Sequence, residues 1–264
     1  MLRILHFSDL HIGVENYSQT DPTTGLSTRL LDFLRVLDDL VDYALKEDID
    51  LILFSGDAYK SRDPSQTHQR ELAKRLAKLT SSGIPVYLLV GNHDLPHALG
   101  RATAVEIFNT LRVPNIHIGD ALNTQFIETR NGQVQIVSLP WPNRSKILSR
   151  QDTRRLSIEE INNRIQEILT EGLRSEVRKL DSSIPAILVG HVTVSGATSG
   201  SEQRMMLGKD HVLLMSSIHL PQFDYIALGH IHTHQILRNN PMVVYAGSLQ
   251  RVDFSEENDT KGFC

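Results

Sequence analysis

A chain of 264 residues, 40% hydrophobic, 22% charged and with a formal charge of -4, has the composition of one large globular domain or two small ones. The acidic balance argues against a general basic surface that grips long nucleic acid, although bound divalent cations would reverse the field locally. The one cysteine, Cys264, rules out a disulfide framework within the chain and fits a cytoplasmic setting. Apolar runs such as 86–90 are too short to span a bilayer, and residues 1–9 lack a signal peptide's apolar core.

Short apolar runs alternate with amphipathic stretches along the chain, which is the pattern of an α/β protein. A strand is predicted at 2–7, then a loop at 16–25. Leu30, Leu34, Leu37, Val41 and Ala44, spaced by four and three, predict a helix. A strand at 50–54 leads to a second helix from about Ser65 through Leu72, Leu76 and Leu79, closing at Ser82-Gly83. Strands follow at 85–90 and 133–138. A third helix opens at Ser157, where Glu160 completes a capping box, and carries Ile158, Ile161, Ile165 and Ile168. Strands at 186–189, 225–228 and 242–245 complete the set, with a loop at 196–208.

Five of these strands end in polar residues: Ser8-Asp9-Leu10-His11, Ser55-Gly56-Asp57, Gly91-Asn92-His93-Asp94, Gly190-His191 and Gly229-His230-Ile231-His232. Strand-end loops are where α/β folds concentrate function. Taken singly, each motif has an ordinary explanation: Gly-Asp is a common turn, and a lone histidine is often buried and satisfied by backbone. As an ordered set they are carboxylate, amide and imidazole donors without thiolate, which suits Mn, Fe or Zn at a catalytic centre. Asp9 and His11 are two apart, as are His230 and His232, so each pair projects from one face of an extended backbone. Asp57 is the candidate to bridge two ions roughly 3.5–4 Å apart.

The ordered set resembles the calcineurin-like metallophosphoesterase superfamily, and within it the SbcD nucleases. Further segments carry the resemblance: Arg62-Asp63-Pro64-Ser65, Leu139-Pro140-Trp141, residues 191–197, residues 223–232 and Tyr245-Ala246-Gly247-Ser248. It implies a four-layer α/β/β/α sandwich with two mixed β-sheets over residues 1–264, with the capping domain and the SbcC-binding segment absent. It implies two divalent ions, manganese above others, one on Asp9, His11, Asp57 and His232 and the other on Asp57, Asn92, His191 and His230. His93 would act on the scissile phosphate and Asp94 would orient His93. The implied activity is 3′ to 5′ exonuclease and single-strand endonuclease action on DNA, as a homodimer with an SbcC-like ATPase in DNA repair, away from membranes. Tyr59 replaces the family's usual Phe. His234, where Lys-Pro is common, reads as solvent-facing or as a support behind the ligands.

Arg144, Lys146, Arg150, Arg154 and Arg155 form the densest basic stretch, read as a solvated loop before phosphate contact. Trp141 reads as packed under a loop, His68 and His97 as surface histidines, and Met205-Met206 as gap filling. His6, His117, His211 and His219 have no assignment. Two other functions compete. The acidic charge favours a small-molecule or cyclic-nucleotide phosphodiesterase. A scaffold without metals is opposed by a competent residue at every ligand position.

Overall fold

A computed structural model describes residues 1–96, 100–143, 147, 156–202 and 212–264. Strands β1 (Ile4–Phe7), β2 (Leu51–Phe54), β3 (Val86–Leu89) and β4 (Ile116–Gly119) pair in that order, all parallel. Parallel neighbours need crossovers. Helix α1 (Thr28–Lys46) supplies the first and α2 (Gln66–Ser81) the second, while the short α3 (Glu106–Thr110) precedes β4. Ser27 and Ser65 cap the two long helices by accepting from the amides of Leu30 and His68.

The chain then forms the hairpin β5 (Asn123–Thr129) and β6 (Gly132–Leu139), helix α4 (Ile158–Val177) and β7 (Ala186–His191). The capping box of Ser157 and Glu160 opens α4 as the sequence predicts. Next come the two-residue strands β8 (Thr193–Val194) and β9 (Val212–Leu213), which pair with each other, and the short α5 (Met215–Ile218). Strands β10 (Tyr225–Gly229), β11 (Gln235–Asn239) and β12 (Met242–Tyr245) finish a six-stranded sheet in the order β11-β12-β10-β7-β6-β5. It is parallel inside and antiparallel at both edges.

Alternating side chains divide the core into three apolar layers. Ile52, Phe54, Val86 and Leu88 pack under α1 and α2, with Leu34, Leu37, Leu72 and Leu76. On the opposite face Leu51, Leu53, Tyr87 and Leu89 meet Val134, Ile136, Ile187, Val189 and Ala227 of the second sheet. Val137, Leu188, Ile226 and Leu228 then turn outward to Ile165, Leu169 and Leu173 of α4. The result is the α/β/β/α layering that the resemblance implies.

Two expectations need correction. The first sheet is wholly parallel among the described residues, not mixed, because its strands are joined by crossovers. Among the described residues, the two-residue hairpins that join neighbouring strands lie at the edges of the second sheet, at Arg130-Asn131 and Asn240-Pro241. Ile158 lies in the first turn of α4 with 65% of its surface exposed, so the buried stripe runs from Ile165 instead. Among the described residues no helix is long and apolar enough to cross a membrane.

Candidate metal centre

The turns that follow β1, β2, β3, β7 and β10 meet at one place between the two sheets. Asp9 N donates to Gly56 O at 3.0 Å and His11 N to Asp57 O at 3.1 Å, which fastens the first turn to the second. Asp9, His11, Asp57 and His230 have φ of 52°, 45°, 63° and 96°, in the left-handed region that non-glycine residues avoid. A Cβ on Gly56, itself at φ 99°, would strike the His191 ring, and one on Gly91 would occupy the place of the Asp57 carboxylate. These two glycines allow side chains from three strands to approach closely.

The donors form two sets. In the first, His11 Nε2 lies 3.0 Å from His232 Nε2, 3.7 Å from Asp57 Oδ2 and 3.9 Å from Asp9 Oδ1. In the second, His191 Nε2 is 2.9 Å from Asn92 Oδ1 and 3.4 Å from Asp57 Oδ2, while His230 Nδ1 is 3.1 Å from the same Asn92 oxygen. Asp57 Oδ2 belongs to both sets. Its Oδ1 is occupied by the His93 amide, which donates at 2.8 Å. The carboxylates and imidazoles of both sets are at most 2% exposed, a burial that charged groups tolerate only when paired or bound to a cation.

Hydrogen bonding fixes the tautomers. His191 Nδ1 faces the Ser55 carbonyl at 2.6 Å and must donate to it, so a neutral ring directs its Nε2 lone pair at two acceptor oxygens. His232 Nδ1 is likewise engaged by Ser201 Oγ at 2.8 Å and Glu256 Oε1 at 2.9 Å. Lone pairs converging with no donor between them require a proton or a metal ion. Without a metal the proton is held tightly. Burial works against charge on His191, but the charge and hydrogen bond of Asp57, with Asp9 and the Ser55 carbonyl, together outweigh it and raise the ring to about 9. His11 is driven well below its ordinary value by burial and by His232. Burial would raise the Asp57 carboxyl, yet His191 and His93 hold it far below the usual carboxylate range. The donor chemistry thus fits divalent cations.

All seven expected ligands, with His93 and Asp94, are brought together. His93 Nδ1 donates to Lys60 O at 2.8 Å and its ring lies edge-on to His11, with centroids 4.9 Å apart. The expected pairing of Asp94 with His93 is not found. Asp94 Oδ2 accepts from the amides of Asp57 and Gly91, both at 2.9 Å, and Oδ1 from Ala58 N at 3.1 Å. Its carboxylate is spent tying the turn after β2 to the turn after β3, and Lys60 orients His93 instead. His234 is exposed, as the solvent-facing reading has it, with its Nδ1 donating to Tyr245 O at 3.0 Å outside both donor sets. Trp141 does pack, its ring 4.7 Å from that of His230. His68 meets Glu15 Oε1 at 3.0 Å. The basic stretch from Arg144 to Arg155, His97, Met205-Met206 and His211 fall outside the described residues.

Sequence reasoning missed the supports behind the ligands. His6 is buried between Tyr225 Oη at 2.9 Å and Ser55 Oγ at 2.7 Å, which steadies the residue whose carbonyl holds His191. Burial keeps His6 neutral, lowered to about 3. Its position inside the first apolar strand was the available signal. Glu256 and Ser201, behind His232, belong to no motif.

A two-sheet sandwich with paired nitrogen and oxygen donor sets at its strand ends is the arrangement of a phosphoesterase centre. The chain belongs to the calcineurin-like phosphoesterase family, which matches residues 2–234. It is similar to two curated relatives, each named as the SbcD subunit of the SbcCD nuclease. The Staphylococcus epidermidis protein is 29% identical over 99% of this chain and 65% of its own length. The Rhodobacter capsulatus protein is 28% identical over 97% of this chain and 64% of its own. The chain therefore spans just under two thirds of the length of these relatives. Among solved structures, a dimetal phosphatase from Danio rerio shares the fold with a TM-score of 0.51 at 10% identity, covering 94% of this chain and 87% of that one. A protein from Thermus thermophilus shares it with a TM-score of 0.50 at 14% identity, covering 94% and 90%.

Proposed function

We propose that this chain is the catalytic part of a manganese-dependent DNA nuclease, degrading duplex ends from 3′ to 5′ and nicking single strands. The observation that carries the chemistry is Asp57 Oδ2, set between His11 Nε2 at 3.7 Å and His191 Nε2 at 3.4 Å. Asp9, His11, Asp57 and His232 would hold one cation, and Asp57, Asn92, His191 and His230 the other. When bound, such a pair supplies Lewis-acid stabilisation of a phosphate and activation of water.

The remaining steps fall to the chain itself. The rigid turns around Asp57 hold the donors in place before substrate arrives, so little reorganisation accompanies reaction. His93 is half-buried where the carboxylate and imidazole ligands are fully buried, which suits it to reach the phosphate. Its Nδ1–H is fixed to Lys60 O, leaving Nε2 to hold or deliver a proton at the leaving sugar oxygen. Asp94 acts by holding the two turns together.

A nucleic-acid substrate is supported by the name nuclease that the relatives bear and by similarity that extends over nearly the whole chain; DNA in particular rests on the family resemblance. The same name, that of one subunit of a two-part nuclease, supports action with an SbcC partner; the ATPase nature of that partner, a homodimer, a cytoplasmic setting and a role in DNA repair rest on the family resemblance alone. Incubation with Mn and linear duplex DNA labelled at the 3′ end tests the reading. Early release of the label is expected. Intact DNA beside brisk hydrolysis of cyclic nucleotides would overturn it in favour of a small-molecule phosphodiesterase.

A further inference from the structure

His232 is gripped from two sides by a segment that carries none of the ligand motifs. Beyond β12 the chain makes one 3-10 turn, Phe254–Glu256, capped by the Asp253 side chain, which accepts from Ser255 N. The turn drives Glu256 inward until it is 2% exposed. Glu256 Oε1 faces His232 Nδ1 at 2.9 Å and also takes the Ser201 hydroxyl. Glu256 Oε2 meets Lys261 Nζ at 2.8 Å, Val252 N at 3.0 Å and Ser248 Oγ at 3.3 Å. Lys261 Nζ also donates to the backbone carbonyl of His232 at 2.9 Å. One buried ion pair therefore holds both the ring and the peptide of a single histidine.

Burying a carboxylate and an ammonium costs desolvation, and such pairs seldom stabilise a fold beyond what apolar packing would. Their placement around one imidazole points to a task at the centre. We infer that Glu256 is a positioning residue for the metal centre, and that Lys261 balances its charge and locks the His232 peptide. Glu256 fixes the Nδ1–H tautomer of His232, so that the Nε2 lone pair is aimed at the point where His11 Nε2 also converges, 3.0 Å away. A carboxylate behind a ligating histidine orients the ring and strengthens it as a donor. The inference rests on the reading of Asp9, His11, Asp57 and His232 as a cation site.

Calorimetric titration with Mn, beside long-range 15N–1H imidazole spectra of the metal-free protein, tests it. The parent is expected to bind two Mn ions and to show His232 protonated at Nδ1. In E256Q one of the two affinities should fall about 10–100-fold while the other stays, and the His232 tautomers should mix. Excess Mn should restore the cleavage rate with KM for DNA unchanged. Because loss of the Glu256 charge leaves Lys261 with only Asp259 at 3.2 Å as an ionic partner and can unfold the single variant, E256Q/K261Q removes both charges and should show the same selective loss with parent-like circular dichroism. Parent-like affinity at both sites, an unchanged tautomer, or a double variant that does not fold would overturn the positioning role. A parent that takes up no Mn would overturn the cation reading itself, and the inference with it.

Discussion

Asp9, His11, Asp57 and His230 hold their side chains in place by adopting backbone that costs each of them about 1–2 kcal/mol. That cost is tolerated because the alternative conformations would point the donors away from one another. Gly56 shows the same constraint from the other side: it has positive φ and leaves no room for a Cβ beside His191. Gly56→Ala should therefore lower stability by about 2 kcal/mol and weaken Mn binding, because the His191 ring must yield. Parallel thermal melts and Mn titrations check this, and a variant that melts and binds like the parent would remove the argument. His93 differs in kind. Its contacts are the Lys60 carbonyl and the edge of His11, so its assigned work is proton transfer. His93→Asn should lower kcat by about 10²–10⁴ with two Mn ions still bound per chain; loss of one ion would reassign it as a ligand.

At the scale of elements, α1 and α2 are joined by ions as well as by leucines. Arg75 reaches Asp38 of α1 at 2.6 Å and Glu71 of its own helix at 2.9 Å, while Arg70 and Lys74 also bond Glu71. Burial alone would raise the Glu71 carboxyl, but bonds from Lys74, Arg70 and Arg75 outweigh it and bring it from 4.5 to about 2. A depressed folded value adds stability that is complete above the unfolded pKa and drains away as pH falls through the folded one. The parent should thus lose stability between pH 4.5 and 2 more steeply than Glu71→Gln. At pH 7 that variant should be weaker by about 1–3 kcal/mol. Denaturant melts at several pH values read both effects, and matching slopes would show that the network adds nothing.

Elements were legible where burial imposed a period. The helices with Leu30, Leu34 and Leu37 or Leu72, Leu76 and Leu79 lie where their spacing places them, because one face meets a sheet. Strands β2, β3, β7 and β10 were legible because both faces are covered. Strands β5 and β11 were not, since most of their residues are exposed or half-buried and their pairing comes from hairpins. The convergence of the candidate centre was legible in its donor residues, which recur as motifs after buried strands. Its supports were less so: Asp94 bonds backbone amides that carry no sequence signature, and Glu256 reaches His232 through a turn whose inward direction only tertiary packing sets.

The whole molecule is two sheets whose apolar faces meet through Leu51, Leu53, Tyr87 and Leu89 on one side and Ile136, Ile187 and Val189 on the other. The donor sets sit at the rim of that contact and draw on both sheets: Asp9, His11, Asp57 and Asn92 follow strands of the first, and His191, His230 and His232 strands of the second. Cations held there would tie the sheets together, and their removal would leave two buried carboxylates and a cluster of imidazoles to be reconciled by protons. Binding to the folded form alone stabilises by about 2.7 kcal/mol per site at a hundredfold excess over Kd, which for a chain of this size moves the melting temperature by about 5–10 °C. Chelated protein should melt lower by at least that amount and recover when Mn is returned. Hydrogen exchange should localise the change. The amides of Asp9, His11, Asp57, His93 and His230, which bond between turns at the rim, should slow on Mn addition, and those within α1 should not. Uniform slowing, or none, would mean that the ions sit on a preformed rim without coupling the two sheets.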